Sequence, residues 1–401
     1  NKKKFFYFEK KISEEKYEKI MLLGDKSIKP EEKLARIYPQ KNLFSHIIGQ
    51  IDDDNNGISG LEKSLDAKLK KKEKSIKLTV DTDIQFLVRN ELKKYQKIFR
   101  SIGSAAILMD VNNGEILSMT SLPDFDLNVR EKITDKNYIN KITKGTYELG
   151  SIFKTFTIAA GFDENIIKPN TKFKNLPKKI NPAECDGKPI SEYDMEIPSD
   201  LSVEEILIRS GNIGSIKISQ KIGIEKFKNF LKKIGILKEI KFDIEEVAPL
   251  SDKKWRKCKL ITASYGHGIA TTLLQVAKGY AILANGGYEI YPKLIKSFHN
   301  ENEIKKRILK KETSEKINLI LRKIVSTEEG TAEQANVPGY QVGGKTGTAQ
   351  QAIAGTYSNV KINTFAAIFP TSKPKYVLVV MLEAPKTSKD YVYKFRNRKG
   401  S

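Results

Sequence analysis

No stretch of this chain approaches the roughly 18 consecutive apolar residues that a membrane-spanning helix needs. The longest apolar run, Tyr376 to Leu382, has the length of a buried strand. Cysteine is nearly missing: Cys185 and Cys258 are the whole complement. Neither lies in a C-x-x-C pair, which argues against structural zinc. They could pair in an oxidising compartment, but nothing in the sequence brings their Cα atoms within bridging distance, so two free thiols are expected. The three histidines, His46, His267 and His299, are too dispersed for a metal cluster, and no metal or cofactor is expected. An initiator Met and a leader pattern are also lacking, as expected of a trimmed or mature fragment beginning at Asn1.

Charge of one sign is abundant. With 71 basic and 49 acidic residues the net charge is +22, which favours anionic partners. The lysines are scattered, apart from Lys68 to Lys74 and the terminal Lys394 to Lys399, and no nucleic-acid recognition signature accompanies them. A general compositional bias accounts for the surplus, and no nucleic-acid partner is expected. Hydrophobic content of 39% and charged content of 30% describe a globular chain, and 401 residues suffice for more than one module.

Residues 1–45 are polar and helix-prone, with Ser13 placed to cap a helix beginning at Glu14. Turn chemistry follows at 46–62, including Asp53-Asp54-Asn55-Asn56-Gly57, then the lysine-rich stretch, read as a solvated connector. This puts a boundary near residue 75. Beyond it, Ile76 to Val80 predicts a strand and Ile84 to Tyr95 an amphipathic helix. Ser104 to Val111 and Glu115 to Thr120, joined by Asn112-Asn113-Gly114, predict a hairpin. A largely helical middle spans about 150–285. Gly339 to Gln350, Asn363 to Phe369 and Tyr376 to Leu382 read as strands of the same sheet. Strands at both ends of a helical insert predict an α+β or three-layer α/β domain, without internal repeats.

Three short motifs carry chemistry. The first is Ser151-Ile-Phe-Lys154. S-x-x-K also occurs at Ser13, Ser251, Ser358 and Ser372, where a cap, a charged exposed segment, a strand neighbourhood and a turn explain it. Ser151 instead follows Gly150 and opens an apolar run, Phe153 to Ala160, which describes a buried helix with a serine at its N-terminus. Residues i and i+3 share a helix face, so Ser151 Oγ and Lys154 Nζ can meet. Burial disfavours the charged amine, and a neutral amine can take a serine proton. The blander reading is a capping serine with a snorkelling lysine.

The second motif, Ser210-Gly-Asn212, is the sole S-x-N of the chain and by itself an ordinary loop. The third, Lys345-Thr346-Gly347-Thr348, is the sole K-T-G; on an edge strand it would present a cation and two hydroxyls to an anion. Gly339 to Thr346 also matches the phosphate-loop pattern G-x-x-x-x-G-K-[ST] letter for letter. Its context is wrong: Glu333 to Pro338 is no buried strand, and Gly347 and Gly355 discourage the helix that should follow. A P-loop nucleotide-binding protein is therefore the remote alternative.

In this order the three motifs are those of penicillin-binding proteins and class A β-lactamases. The resemblance extends to Thr146 to Lys154, Tyr265-Gly-His-Gly-Ile-Ala270, Gln275, Ala284-Asn-Gly-Gly287, Gly330-Thr-Ala332 and Val337-Pro-Gly-Tyr340. Arg36-Ile-Tyr-Pro39, His46-Ile-Ile-Gly49 and Gly57 to Glu62 resemble the pedestal module of class B penicillin-binding proteins, which a β-lactamase lacks. The Gly339 to Gln350 context is similar to the division-specific septal type. The family's membrane anchor and first pedestal motif are not seen, and the polar end Phe395 to Ser401 stands where a closing helix is expected.

The resemblance implies an α+β transpeptidase fold, an antiparallel sheet flanked by helices, at 76–401, and a partial pedestal at 1–75. It implies a serine D,D-transpeptidase of peptidoglycan stem peptides, inhibited by β-lactams. Ser151 would be the nucleophile, Lys154 its base and Ser210 a proton relay helped by Lys345. Asn212 would bind a peptide amide, Lys345, Thr346 and Thr348 would hold the terminal carboxylate, and Gly347 would permit close approach of the substrate backbone. Backbone N–H groups of Ser151 and Thr348 would form the oxyanion hole. No metal or other cofactor is implied. A membrane glycosyltransferase and other cell-wall synthesis proteins are the implied partners. The implied location is the periplasmic face of the bacterial inner membrane, with a single-pass anchor preceding this fragment. A β-lactamase or D,D-carboxypeptidase would use the same site, with water resolving the acyl-enzyme.

Overall fold

The computed structural model describes residues 6–9, 12–32, 35–71, 75–129, 138–252, 254–296, 306–353, 356–389, 391, 393–395 and 398–400. At its centre is a five-stranded antiparallel sheet. Its strands are β1 (Gly103–Asp110), β2 (Ile116–Leu122), β3 (Gly343–Ile353), β4 (Thr356–Phe369) and β5 (Tyr376–Glu383), in the order β2-β1-β5-β4-β3. The hairpin anticipated at 104–120 is the β1–β2 pair. Its turn is fixed by side chains acting on the backbone: Asn112 N donates to Asp110 Oδ1 and Glu115 N to Asn113 Oδ1, both at 2.8 Å. β1 then pairs with β5, Ala106 opposite Val380, and β3 is an edge strand held by β4, Lys345 opposite Ala366.

Period-two alternation sends successive side chains to opposite faces of the sheet. Ala105, Ile107 and Met109 of β1, with Val377, Val379 and Met381 of β5, enter the main core. Ala106 faces the other way and clusters with Leu122, Val380, Leu382 and Leu92. Leu92 comes from helix α1 (Thr82–Ile98), whose first turn is capped by Asp81 accepting from Asp83 N and Ile84 N. On the main-core face α4 (Leu273–Ala284) and α5 (Lys311–Ser326) pack on the sheet, and α2 (Phe153–Asp163) and α3 (Asn212–Ile222) pack against each other in the layer beyond, α2 also touching α5. Every residue of α2 and of α4 is buried, which explains why both are apolar on all sides rather than striped.

The predicted strand at 76–80 does not form as one. Leu78 makes a single bridge to Ile295, and Thr79 Oγ1 donates to the carbonyls of Ile116 and Lys293, so this segment is an extended strap across the hairpin. Part of the lysine-rich connector is helical, Asp66–Lys70, with Lys70 paired to Asp66 at 2.7 Å; residues 72–74 lie outside the described residues. Ser13 does cap the helix Glu14–Met21, accepting from Lys16 N at 3.3 Å. Residues 36–62 dock tightly on the rest. Ile47 and Leu61 join the main core, and Gly60 N donates to Glu245 Oε2 at 2.9 Å. Near the C-terminus, Tyr393–Phe395 and Arg398–Gly400 pair as a short antiparallel ribbon. Among the described residues no helix is long and apolar enough to cross a membrane.

Cys185 and Cys258 form a disulfide, Cα atoms 5.0 Å apart, which corrects the expectation of two free thiols. The pairing depends on a tertiary contact between the turn Ala183–Cys185 and the helix Lys257–Ala263, seventy-three residues away in sequence.

Candidate active site

The turn preceding α2 is built by backbone contacts that only glycine allows. Gly150 has φ +58° and donates its N–H to Gly266 O at 3.3 Å. A Cβ at Gly150 would stand 2.5 Å from Thr348 O, and one at Gly266 would stand 2.1 Å from Gly150 O. Three chain segments therefore meet at main-chain distance around Ser151, which sits half-buried in the 3-10 turn Gly150–Ile152. Tyr280, fully buried, donates its hydroxyl proton to Ile152 O and accepts from Thr155 Oγ1, both at 2.9 Å, and ties the turn to α4.

Lys154, one helical turn on, is 1% exposed. Its amine is turned onto Ser210: Nζ donates to Ser210 O and, at 3.1 Å, to Ser210 Oγ. Ser210 has φ +60° and stands between the short helix Val203–Ile208 and α3. Its hydroxyl also accepts from Lys345 Nζ at 2.9 Å. Lys345 is 0% exposed on β3 and is further bonded to Thr346 O at 3.1 Å and Thr331 Oγ1 at 3.5 Å. Thr346 Oγ1 donates to Thr331 Oγ1 at 3.0 Å. The three sequence motifs thus converge on one hydroxyl oxygen.

Two buried amines around one hydroxyl cannot both be comfortably charged. Burial pushes Lys154 down to about 7, opposed by the Glu192 carboxylate. Lys345 is held well below the usual lysine range by burial and then by Lys154. His267 is lowered too, by burial first and by Lys154 second.

Asn212 opens α3. Its side-chain Nδ2 donates to Ser191 O at 2.7 Å, which fixes the carboxamide. Its N–H and that of Ile213 donate to the two oxygens of Glu192, at 2.6 and 2.8 Å, so a buried carboxylate caps the helix. Gly347 is buried where a Cβ would meet Leu149 O at 2.4 Å, while Thr348 is exposed. β3 thus passes directly over the residues before Ser151 and leaves the Thr348 side chain open.

The chain continues as a strand after Lys345-Thr346, and Lys345 Nζ is turned onto Ser210. A phosphate loop would open a helix there, so the nucleotide-binding alternative fails on geometry. The other S-x-x-K serines do not join the site. Ser13 caps a helix, Ser251 Oγ accepts from Trp255 Nε1 at 3.2 Å, Ser358 lies on β4, and Ser372 N donates to Gln341 Oε1 at 3.2 Å. Sequence reasoning missed Glu192, a lone acid in a polar stretch with no signal of its own. It included Thr331 only as part of Gly330-Thr-Ala332, without a role.

Residues 104–398 match the penicillin binding protein transpeptidase domain. The chain is 31% identical, over 381 residues, to the probable peptidoglycan D,D-transpeptidase FtsI of Caulobacter vibrioides, covering 92% of this chain and 64% of that protein. Among solved structures it resembles apo penicillin binding protein 3 of Mycobacterium tuberculosis, with 28% identity and a TM-score of 0.78 over 88% of this chain and 84% of that one. It likewise resembles that protein complexed with ampicillin, at 28% identity and a TM-score of 0.77 over 88% of this chain and 83% of that one. The domain match covers well over half of the chain, and the likenesses in sequence and fold agree with it: the chain belongs to the penicillin-binding proteins that carry a transpeptidase domain.

Proposed function

We propose that this chain cross-links peptidoglycan as a serine D,D-transpeptidase through an acyl-enzyme on Ser151. The observation that carries the reading is the meeting of Lys154, Lys345 and Ser210 at one hydroxyl, one helical turn from Ser151. The donor is a stem peptide ending in D-Ala-D-Ala. Lys345, Thr346 and Thr348 hold its carboxylate, Gly347 lets the strand pass close over Leu149 so that these residues face the substrate, and Asn212 binds a peptide amide. Neutral Lys154 takes the Ser151 Oγ proton as Oγ attacks the penultimate carbonyl. Backbone N–H groups of Ser151 and Thr348 receive the oxyanion. Ser210, held by both lysines, passes a proton to the departing D-Ala nitrogen, and an amine from a second stem peptide then resolves the ester.

The same serine is acylated by β-lactams. The septal relatives support a role in division, with a membrane glycosyltransferase as partner, a pedestal formed by residues 1–75, and work at the outer face of the inner membrane. Intact mass after incubation with penicillin tests the reading. An adduct persisting for many minutes and mapping to Ser151 is expected. No adduct, or one at Ser13, Ser251, Ser358 or Ser372, overturns it. Hydrolysis of a chromogenic cephalosporin at many turnovers per second replaces it with a β-lactamase.

A further inference from the structure

We propose that the Cys185–Cys258 disulfide is a positioning element of the active site, holding in place the segments that orient Asn212 and the Ser151 turn, so that opening this one bond slows acylation in a chain that stays folded. The inference rests on the acyl-enzyme reading above and adds to it a dependence on redox state.

The bridge joins two supports of the site. On one side lies a short hairpin. Lys179 and Ile180 pair with Ser191 and Ile190, and Glu192 N donates to Lys178 O at 2.9 Å. Ser191 O holds the Asn212 carboxamide at 2.7 Å, and the Glu192 carboxylate holds the N–H groups of Asn212 and Ile213. A ladder of two residue pairs is marginal by itself. Its connecting loop packs poorly: of residues 181–189, all of them described, Cys185 alone is buried. The loop that closes the hairpin is thus moored through this sulfur to the helix Lys257–Ala263.

On the other side, that helix packs against α3. Ser264, at its end, accepts from Thr157 Oγ1 of α2 at 2.8 Å, and Gly266 O accepts from Gly150 N at 3.3 Å. Ser191 and Ser264 each lie six residues beyond their cysteine. One covalent bond therefore ties the strand that sets Asn212 to the segment that sets the Ser151 turn. Displacing a reacting group by about 1 Å can lower a rate by ~10²-fold, so a loosened tether acts on chemistry before it acts on the fold.

Cys258 is half-buried, and the loop around Cys185 is exposed on both sides, which leaves the bridge open to thiol exchange. Reduction by a dithiol delivers two electrons and two protons. The S–S bond breaks, both cysteines become thiols, and the dithiol closes into its own disulfide. Glutathione disulfide reverses the step and leaves as two thiols.

The test acylates the full chain with a fluorescent penicillin in three states: oxidised, reduced with dithiothreitol, and reoxidised with glutathione disulfide. Free thiols are counted and circular dichroism is recorded in each. Reduction is expected to slow acylation about tenfold or more with the dichroism unchanged, and reoxidation to restore it. The pH midpoint of acylation should also fall, since a loosened hairpin withdraws Glu192, whose charge raises the Lys154 pKa. The double variant Cys185→Ser, Cys258→Ser should match the reduced chain and ignore dithiothreitol. Equal rates with the bridge closed and open overturn the proposal. So does a slowing that comes with lost dichroism or an unmoved midpoint, which would make the bridge a source of stability alone, and so does a double variant that responds to the dithiol. An oxidised wild-type chain that forms no acyl-enzyme overturns the acyl-enzyme reading, and this proposal with it, at an earlier step.

Discussion

Lys345 Nζ donates to Ser210 Oγ at 2.9 Å, joining side chains 135 residues apart in sequence. Lys154 donates to the same oxygen at 3.1 Å. A hydroxyl has two acceptor lone pairs, and with both engaged its own proton is left to point at a third group. Ser210→Ala is expected to slow acylation about 10²-fold, the scale of a positioned proton donor, with the fold intact. Stopped-flow with a fluorescent penicillin, beside circular dichroism, checks this. A rate near wild type excludes Ser210 as the proton carrier.

Acylation should follow the titration of Lys154. Only the neutral amine accepts a proton, and burial places its pKa at about 7. The rate is therefore expected to rise about tenfold per pH unit below that value and to level off above it. Lys154→Arg keeps charge without basicity and should lose ~10²-fold or more, whereas Lys345→Arg retains an anion-binding cation and should lose less. A flat profile between pH 5 and 8 would place the base elsewhere.

Glu192 couples two of the motifs. Its carboxylate caps α3 at Asn212 and Ile213 and is the charge that raises the Lys154 pKa. Glu192→Gln removes a charge-assisted cap, at a cost of about 1.5–3 kcal/mol. It should also move the acylation midpoint to lower pH, because the amine loses its nearby anion. A lost cap without a shifted midpoint would make Glu192 purely structural.

Gly150→Ala probes the crossing of β3 over the nucleophile turn. The added Cβ would meet Thr348 O at 2.5 Å, at φ +58°. Acylation is expected to fall more than tenfold as the oxyanion donors separate. Gly187→Ala, at φ +66° with nothing within 4 Å, is the control and should cost stability alone, about 1 kcal/mol.

Replacing both Cys185 and Cys258 with serine opens a 73-residue loop. In the chain-entropy picture this costs about 4 kcal/mol. Urea denaturation of the variant, and of wild type with and without a dithiol, should show the loss. Because Cys185 lies just upstream of Ser191 and Glu192, slower acylation is expected as well. Unchanged stability in all three would mean the bridge contributes nothing to the native state.

The three motifs, the hairpin at 104–120 and the helix read at 84–95, which the structure extends to 82–98, are legible because each is written in a few neighbouring residues: a unique tripeptide, an Asn-Asn-Gly turn, an apolar stripe. Ser210 was identified, but its bonds to two lysines were not, since they join three separate segments. Glu192 and the disulfide escaped for the same reason. Val80 and its neighbours looked like a strand because extended backbone has the same local signature whether or not a partner strand lies alongside. Only the position of Leu294 and Ile295 decides that Leu78 makes one bridge and no ladder.

The sheet order has a consequence for how the molecule comes into being. Its central pair, β1 and β5, is drawn from opposite ends of the catalytic domain, with Ala106 opposite Val380. Closing so long a loop has an entropic cost that grows only slowly with length, but it must be met before the pairing is gained, and non-local pairing of this kind is slow to form. A chain emerging N-terminus first carries Ser151, Lys154, Ser210 and Asn212 long before Lys345 and β5 exist. Until the last strands arrive, Ser210 lacks its second lysine, and the turn at Gly150 lacks the carbonyl of Thr348 that it packs against. The nucleophile is thus assembled only when nearly the whole domain is present, so a partly emerged chain should carry the serine without its reactivity.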